Sequence, residues 1–200
     1  MRKNRRRGGY TLVELITSFA LLAVLMTAGI MITGSFLKIY TRANSLLLAT
    51  NLADTLAQTV SAELAGAAST PWSSDPDASA DVLLAEGSVL FHSEEGLPIA
   101  IYSQDGYLVI QYYAVSGDNL MMEPEDVIWG LGKEAYTGCK IQSLRFSHVT
   151  DNVIRMELEL IVENSGLIYP SSCMIECRNL PQNASIAYWS GTSLPDPGTF

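Results

Sequence analysis

The sequence predicts an α+β fold in which one long N-terminal helix packs its second half on an antiparallel β-sheet head. Three observations carry this reading. Leu15 to Leu37 is a run of 23 residues without Asp, Glu, Lys or Arg, longer than the about 20 that a helix needs to cross a bilayer core. Apolar residues then recur at helical spacing as far as Leu64. From Ser88 onward the periodicity changes to the alternation of strands.

Five basic residues, Arg2, Lys3, Arg5, Arg6 and Arg7, precede the apolar run, with Glu14 their one counter-charge. Such a flank stays in the cytoplasm while the rest of the chain crosses, which gives an N-in, C-out single-pass topology in the cell (inner) membrane. The run exceeds the about 7 to 15 apolar residues of a secretory signal, and no small-x-small cleavage site follows it. The unhindered segment for a peptidase lies before it instead, at Gly8-Gly9. A cut after Gly9 frees the amine of Tyr10 and leaves Glu14 as the fifth residue of the mature chain.

The order Gly9, Tyr10, Thr11, Leu12, Val13, Glu14, Leu15, Ile16, behind a basic flank and ahead of a long apolar helix, resembles the N-terminus of the type IV prepilin and pseudopilin family. The resemblance is dense over residues 5–37 and extends to the head only in layout. Tyr10 stands where Phe is usual, a mild departure because the ring is retained, and the span lacks the proline of many major pilins. The resemblance implies a pilin-like fold, cleavage between Gly9 and Tyr10 by a prepilin peptidase, and N-methylation of Tyr10. It also implies assembly through the N-terminal helix with other pilin or pseudopilin subunits, served by an assembly ATPase and a membrane platform. The machine that the resemblance implies is a type IV pilus, a type II secretion pseudopilus or a competence pseudopilus. A proline-free span and a bulky acidic head point to a minor pilin or pseudopilin. Family members without the Glu are associated with the filament tip, so retention of Glu14 implies insertion below another subunit.

Glu14 has its own physical argument. An acidic side chain at the centre of a bilayer helix costs about 2.5–3.5 kcal/mol, and such groups usually have a partner. Near the interface the cost is smaller, and the positive end of the helix dipole offsets part of it. In a bundle of these helices the suitable partner is the Tyr10 amine of a neighbour, a pair that would set axial register. The plainer alternative is that Glu14 caps its own helix. Along the span, Gly29 and Gly34, with Ser18, Ala20, Ala23, Thr27, Ala28 and Ser35, allow close approach of another helix.

Beyond the span the helix becomes amphipathic. Ala49, Ala53, Leu56, Val60 and Leu64 recur at three and four, with Gln58, Ser61 and Glu63 on other faces. No proline occurs before Pro71, so one helix from about Thr11 to Ala68 is predicted, roughly 90 Å at 1.5 Å per residue. Ser69 to Asp81, rich in Ser, Asp and Pro, reads as a loop. Strands are predicted at Ser88–His92, and at Ile99–Ser103 and Tyr107–Ala114 as a hairpin about Gln104-Asp105-Gly106. Asp118 to Gly138 reads as an acidic loop with one short turn. Three consecutive strands follow, at about Lys140–Val149, Val153–Glu163 and Leu167–Arg178. The middle one is clearest, because Ile154, Met156, Leu158, Leu160 and Val162 alternate with Arg155, Glu157, Glu159 and Glu163. Pro170 makes the last an edge strand or a broken one. One sheet face is expected on the helix and the other in water. The final stretch, with Pro181, Pro195, Pro197 and Gly198, reads as a surface tail. The expected organisation is a leader at 1–9, a helix at 10–70 containing the span at 15–37, and one extracytoplasmic head at 71–200.

Charge narrows the partners. Five of the 12 basic residues lie in the leader, so its removal leaves 7 against 21 acidic ones, a formal net charge of −14. That argues against direct nucleic-acid binding, which rests on clustered Lys and Arg. Of the three cysteines, Cys173 and Cys177 share a strand face and cannot easily bridge each other, whereas Cys139 can pair with either. The alternative is three buried thiols.

No catalytic residue, cofactor or metal site is expected. His92 and His148 lie in strand-like runs without a neighbouring nucleophile, and Glu157 with Glu159 reads as a solvated strand face. The acidic clusters Glu123, Glu125, Asp126 and Asp75, Asp77 match no EF-hand loop. Asn183-Ala184-Ser185 fits a short glycosylation sequon. A second reading is a surface adhesin or binding module on a pilin-like stem, with Tyr102, Tyr107, Tyr112, Tyr113, Tyr188 and Trp189 as a ligand surface. A third, an enzyme on an uncleaved anchor, would keep the basic flank.

Overall fold

The computed structural model describes residues 11–69, 80–116, 121–123, 128–181 and 183–188. The predicted α+β class is what it contains: one long helix, α1 (Leu12–Ala65), followed by strands that pair mainly antiparallel. The chain divides into two compact units, residues 1–44 and residues 45–200.

In the first unit α1 is exposed on all sides, and its apolar window has a mean hydropathy of 2.3 with none of it buried in the chain. An apolar surface so complete belongs in lipid or against other helices. The hydroxyls of the span are satisfied within the helix, because Thr17 and Ser18 donate to the Glu14 carbonyl, Thr27 to Ala23 and Val24, Thr33 to Gly29, and Ser35 to Met31. This back-bonding leaves no hydroxyl donor bare in hydrocarbon.

In the second unit the helical stripe does what its spacing predicts. Ala49, Leu52, Ala53, Leu56, Val60 and Leu64 are buried, while Asn51, Asp54, Thr55, Gln58 and Ala62 face out. The stripe shares one hydrophobic core with residues from two sheets. The strands are β1 (Val82–Ala85), β2 (Ser88–His92), β3 (Pro98–Gln104), β4 (Tyr107–Tyr112), β5 (Ala114–Ser116), β6 (Met121–Glu123), β7 (Ile128–Trp129), β8 (Cys139–Thr150), β9 (Val153–Val162), β10 (Leu167–Glu176) and β11 (Ile186–Tyr188). A six-stranded sheet has the order β11-β1-β2-β3-β4-β7, a three-stranded sheet the order β10-β9-β8, and β5 pairs with β6.

The β8-β9-β10 meander lies where alternation places it. All five apolar residues of β9 named above are buried and Glu157 and Glu159 are exposed. Pro170 is paired opposite Glu159 in an unbroken strand at the sheet edge, so it marks the edge without breaking the ladder. A register shift between Ile141 and Ser143 moves the inward side from Ile141 to Leu144 and Phe146, a change of parity that a bulge produces. The β3-β4 hairpin turns through Asp105 (φ 55°) and Gly106 (φ 85°), the two positive angles of a type I′ turn. The Gly106 carbonyl accepts the Ile141 N–H at 2.8 Å, which joins the hairpin tip to β8.

Several expectations need correction. The sheet is not single: β1 and β7 extend the hairpin strands into the larger sheet, and the predicted acidic loop contains β6, β7 and a short 3-10 helix at Lys133–Tyr136. The larger sheet does not turn its second face to water, because Leu83, Leu90, Ala100 and Tyr113 form a second buried cluster there. The runs Val82-Leu83-Leu84 and Val89-Leu90-Phe91 carry no alternation, as befits strands buried on both faces. Nor is the stretch after Arg178 only a tail, since β11 pairs parallel with β1, Ile186 opposite Val82. Asp81 clasps that pairing: its N–H donates to the Ser185 carbonyl at 2.7 Å, and its carboxylate accepts Ser185 N–H at 2.8 Å and Ser69 Oγ at 2.9 Å.

Candidate functional site

Of the residues singled out at the N-terminus, Glu14 lies in the first turn of α1. Thr11 stands just ahead of the first helical residue, and its Oγ1 accepts the Glu14 N–H at 3.3 Å while its carbonyl accepts Glu14 N–H at 3.0 Å and Leu15 N–H at 3.2 Å. Thr11 is therefore the N-cap and Glu14 the third helical residue, the Thr-x-x-Glu spacing of a capping box. The Thr11 half of that box is made. The Glu14 carboxylate makes no hydrogen bond or ion pair among the described residues and is exposed. Glu14 thus sits where the helix dipole favours a negative charge, with its oxygens available to a partner. Gly9 and Tyr10 lie outside the described residues. Lower down, Met26, Gly29, Ile30, Thr33, Gly34 and Leu37 line one shallow groove of about 490 Å³ on the helix. A methyl group added at Gly29 or Gly34 would meet nothing within 4 Å, so these glycines are not required by packing within the chain.

Residues 4–30, which hold Arg5, Arg6 and Arg7 of the basic flank, the Gly9-Tyr10 junction, Glu14 and most of the span, match the family of the prokaryotic N-terminal methylation motif. This is a type IV prepilin-like N-terminus. Over these residues the match bears out the resemblance, and with the exposed apolar helix it supports membrane anchoring. No curated protein and no solved structure matches the chain. The head of this prepilin-like chain is therefore read from its own residues.

Its cysteines are free thiols, Cys139 and Cys177 buried and Cys173 half-buried. The proposed bridges from Cys139 are ruled out by strand register. Cys139 faces Val162 at one end of β9, Cys173 faces Met156, and Cys177 follows Glu176, which faces Val153 at the other end. At about 3.4 Å per residue these offsets are about 20 and 30 Å, against the about 7 Å within which a disulfide can close. Burial pushes the Cys177 thiol up to about 11, with the neighbouring Glu176 charge adding to it. Cys139 is raised by burial and then by Glu163, and Cys173 by burial, opposed by a hydrogen bond with Ser61. Thiols held protonated are poor nucleophiles and poor metal ligands.

The aromatics do not assemble an exposed surface among the described residues. Tyr102 donates to Gln111 Oε1 at 3.0 Å, and Tyr107 meets Tyr136 edge to face at 4.9 Å. Tyr112 donates to Glu63 Oε1 at 3.0 Å, and Tyr113 is buried. Tyr188 is exposed, and its hydroxyl accepts the His148 N–H. Trp189 lies outside the described residues. Tyr136 was not anticipated as a core residue; it is buried and its hydroxyl accepts the Leu108 N–H at 2.7 Å.

His92 is buried on β2, while His148 is exposed at the end of β8. Among the described residues no group of three or more His, Cys, Asp and Glu is placed to hold a metal. The Glu123 side chain, Glu125, Asp126, Asp75 and Asp77 lie outside them. Sequence reasoning missed Thr11 as a cap and Asp81 as a clasp. The Thr-x-x-Glu spacing could have revealed the first; nothing local points to the second.

Proposed function

We propose that this chain is a non-catalytic structural subunit, a minor pilin or pseudopilin, of a type IV pilus, a type II secretion pseudopilus or a competence pseudopilus. The observation that carries the reading is the exposed Glu14 carboxylate, without a partner among the described residues, at the capped mouth of an exposed apolar helix, inside a matching methylation motif. The leader at 1–9 is cut after Gly9 by a prepilin peptidase, and Tyr10 is N-methylated. The stem at 10–70 lies N-in, C-out with residues 15–37 in the membrane, and the head at 71–200 is extracytoplasmic. On assembly Glu14 pairs with the Tyr10 amine of a neighbouring subunit, which fixes axial register by leaving misregistered carboxylates without a partner in a low-dielectric bundle. An assembly ATPase and a membrane platform drive the transfer from bilayer to filament.

Mass spectrometry of the protein from its native membrane tests the reading. An N-terminus at Tyr10, with or without a methyl group, supports it, and an uncut chain overturns it. A Glu14→Ala variant that is cleaved but assembles normally would refute the register pair alone.

A further inference from the structure

The end of the span opposite Glu14 carries a second charged feature. Between Glu14 and Asp54 the only charged residues of α1 are Lys38 and Arg42. They are four apart and therefore share a helix face. Both are exposed, and the one ion pair among the described residues joins Lys140 to Glu163 instead.

Their position relative to the apolar run decides what they meet. Its 23 residues extend about 35 Å at 1.5 Å per residue, against a hydrocarbon core of about 30 Å. A modest tilt absorbs the excess and leaves Lys38 just beyond the acyl chains, at the level of the phosphates. Phe36, Ile39 and Tyr40, 73%, 68% and 69% exposed, stand at the same level of the helix, Phe36 and Tyr40 on the face opposite the pair. Tyr40 supplies the amphipathic ring that favours the membrane interface. The aliphatic stems of Lys and Arg can lie along the exposed apolar side chains beside them, Leu37, Ile39 and Leu46, while their charges reach outward, and a guanidinium fork matches phosphate oxygens in pairs.

We propose that Lys38 and Arg42 bind the phosphates of anionic phospholipids in the leaflet at the C-terminal end of the span, and so set the depth of α1 in the bilayer. The rival occupant is an acidic surface of a second copy. Lipid is favoured because the pair directly follows a bilayer-length run and brackets an interfacial aromatic in sequence. The inference rests on the membrane span and not on filament assembly.

The full-length chain in nanodiscs of phosphatidylcholine with a minority of phosphatidylglycerol provides the test. Native mass spectrometry would count retained phosphatidylglycerol for wild type, the Lys38→Gln/Arg42→Gln double variant, and the charge-conserving Lys38→Arg/Arg42→Lys variant. Lipid held by the basic N-terminal flank is common to all three and cancels. The expected result is a fall of about two bound anionic lipids per chain in the Gln variant, one for each cation, and no fall in the charge-conserving one. Equal retention by wild type and the Gln variant would overturn the proposal. So would unchanged retention combined with loss of cross-linking between copies, which would assign the pair to a second subunit.

Discussion

Removing the Asp81 carboxylate should loosen the C-terminal strand before it affects anything else in the head. Asp81 is 9% exposed and accepts two hydrogen bonds, from Ser185 N–H at 2.8 Å and Ser69 Oγ at 2.9 Å. Hydrogen bonds to a charged group contribute about 1.5–3 kcal/mol each when buried. One of the two partners, Ser69, is itself exposed, so a combined loss of about 2–4 kcal/mol is the reasonable range. For a head of this size that lowers Tm by about 5–15 °C. Because β11 is only three residues long and pairs with β1 alone, much of the loss should appear as local opening. At about 1.4 kcal/mol per factor of ten, opening of β11 becomes about 30- to 700-fold more frequent. The assay is thermal unfolding of full-length Asp81→Ala in detergent, with hydrogen exchange at residues 82–84 and 186–188. Asp81→Asn, which keeps one carbonyl acceptor, should lose less than half as much. If Asp81→Ala melts within about 1 °C of wild type and keeps amide protection in β11, the clasp argument is wrong.

Leu56→Ala, at a position 1% exposed between the helix and the sheets, should destabilise the head by about 2–5 kcal/mol by chemical denaturation. Gly106→Val forces a β-branched residue to φ 85° and a Cβ to 3.0 Å from the Lys140 side chain, so it should cost at least about 1–3 kcal/mol; an unchanged melting temperature would refute the I′ turn. Burial, the hydrogen bond to Glu63 and that carboxylate's charge push the Tyr112 phenol up to about 12. A raised folded pKa means its contribution is intact below about pH 10 and is lost as pH rises toward about 12. Tyr112→Phe should therefore be less sensitive across that window in an alkaline unfolding titration.

How much of this was legible in the chain depended on how local the determining interactions are. The span follows from the absence of charge between Leu15 and Leu37, and the helical stripe from Ala49 to Leu64 was buried as its spacing required. Likewise β9 announced itself, because alternation along one strand needs no knowledge of its neighbours. The Asp105-Gly106 hairpin was equally readable from its turn chemistry. By contrast β1 and β11 are short and lack alternation; β1 pairs with its neighbour β2 across the turn at Glu86-Gly87, while β11 becomes a strand only by pairing with β1, far away in sequence. The cysteine pairings failed for the same reason. Spacing along the chain gave Cys139 two candidate partners, and only the β8-β9-β10 register revealed offsets of about 20–30 Å.

The sequence by itself determined the prepilin-like N-terminus, the single apolar span and the α+β class, because each is written in contiguous residues whose charge, hydropathy and period act locally. The tertiary structure alone decided that there are two main sheets sharing one core, that the larger sheet is apolar on both faces, and that the C-terminal segment returns to β1 under the Asp81 clasp. The physical reason is that strand pairing satisfies backbone hydrogen bonds between distant segments. The choice among possible partners is made by packing and register, which no local window contains.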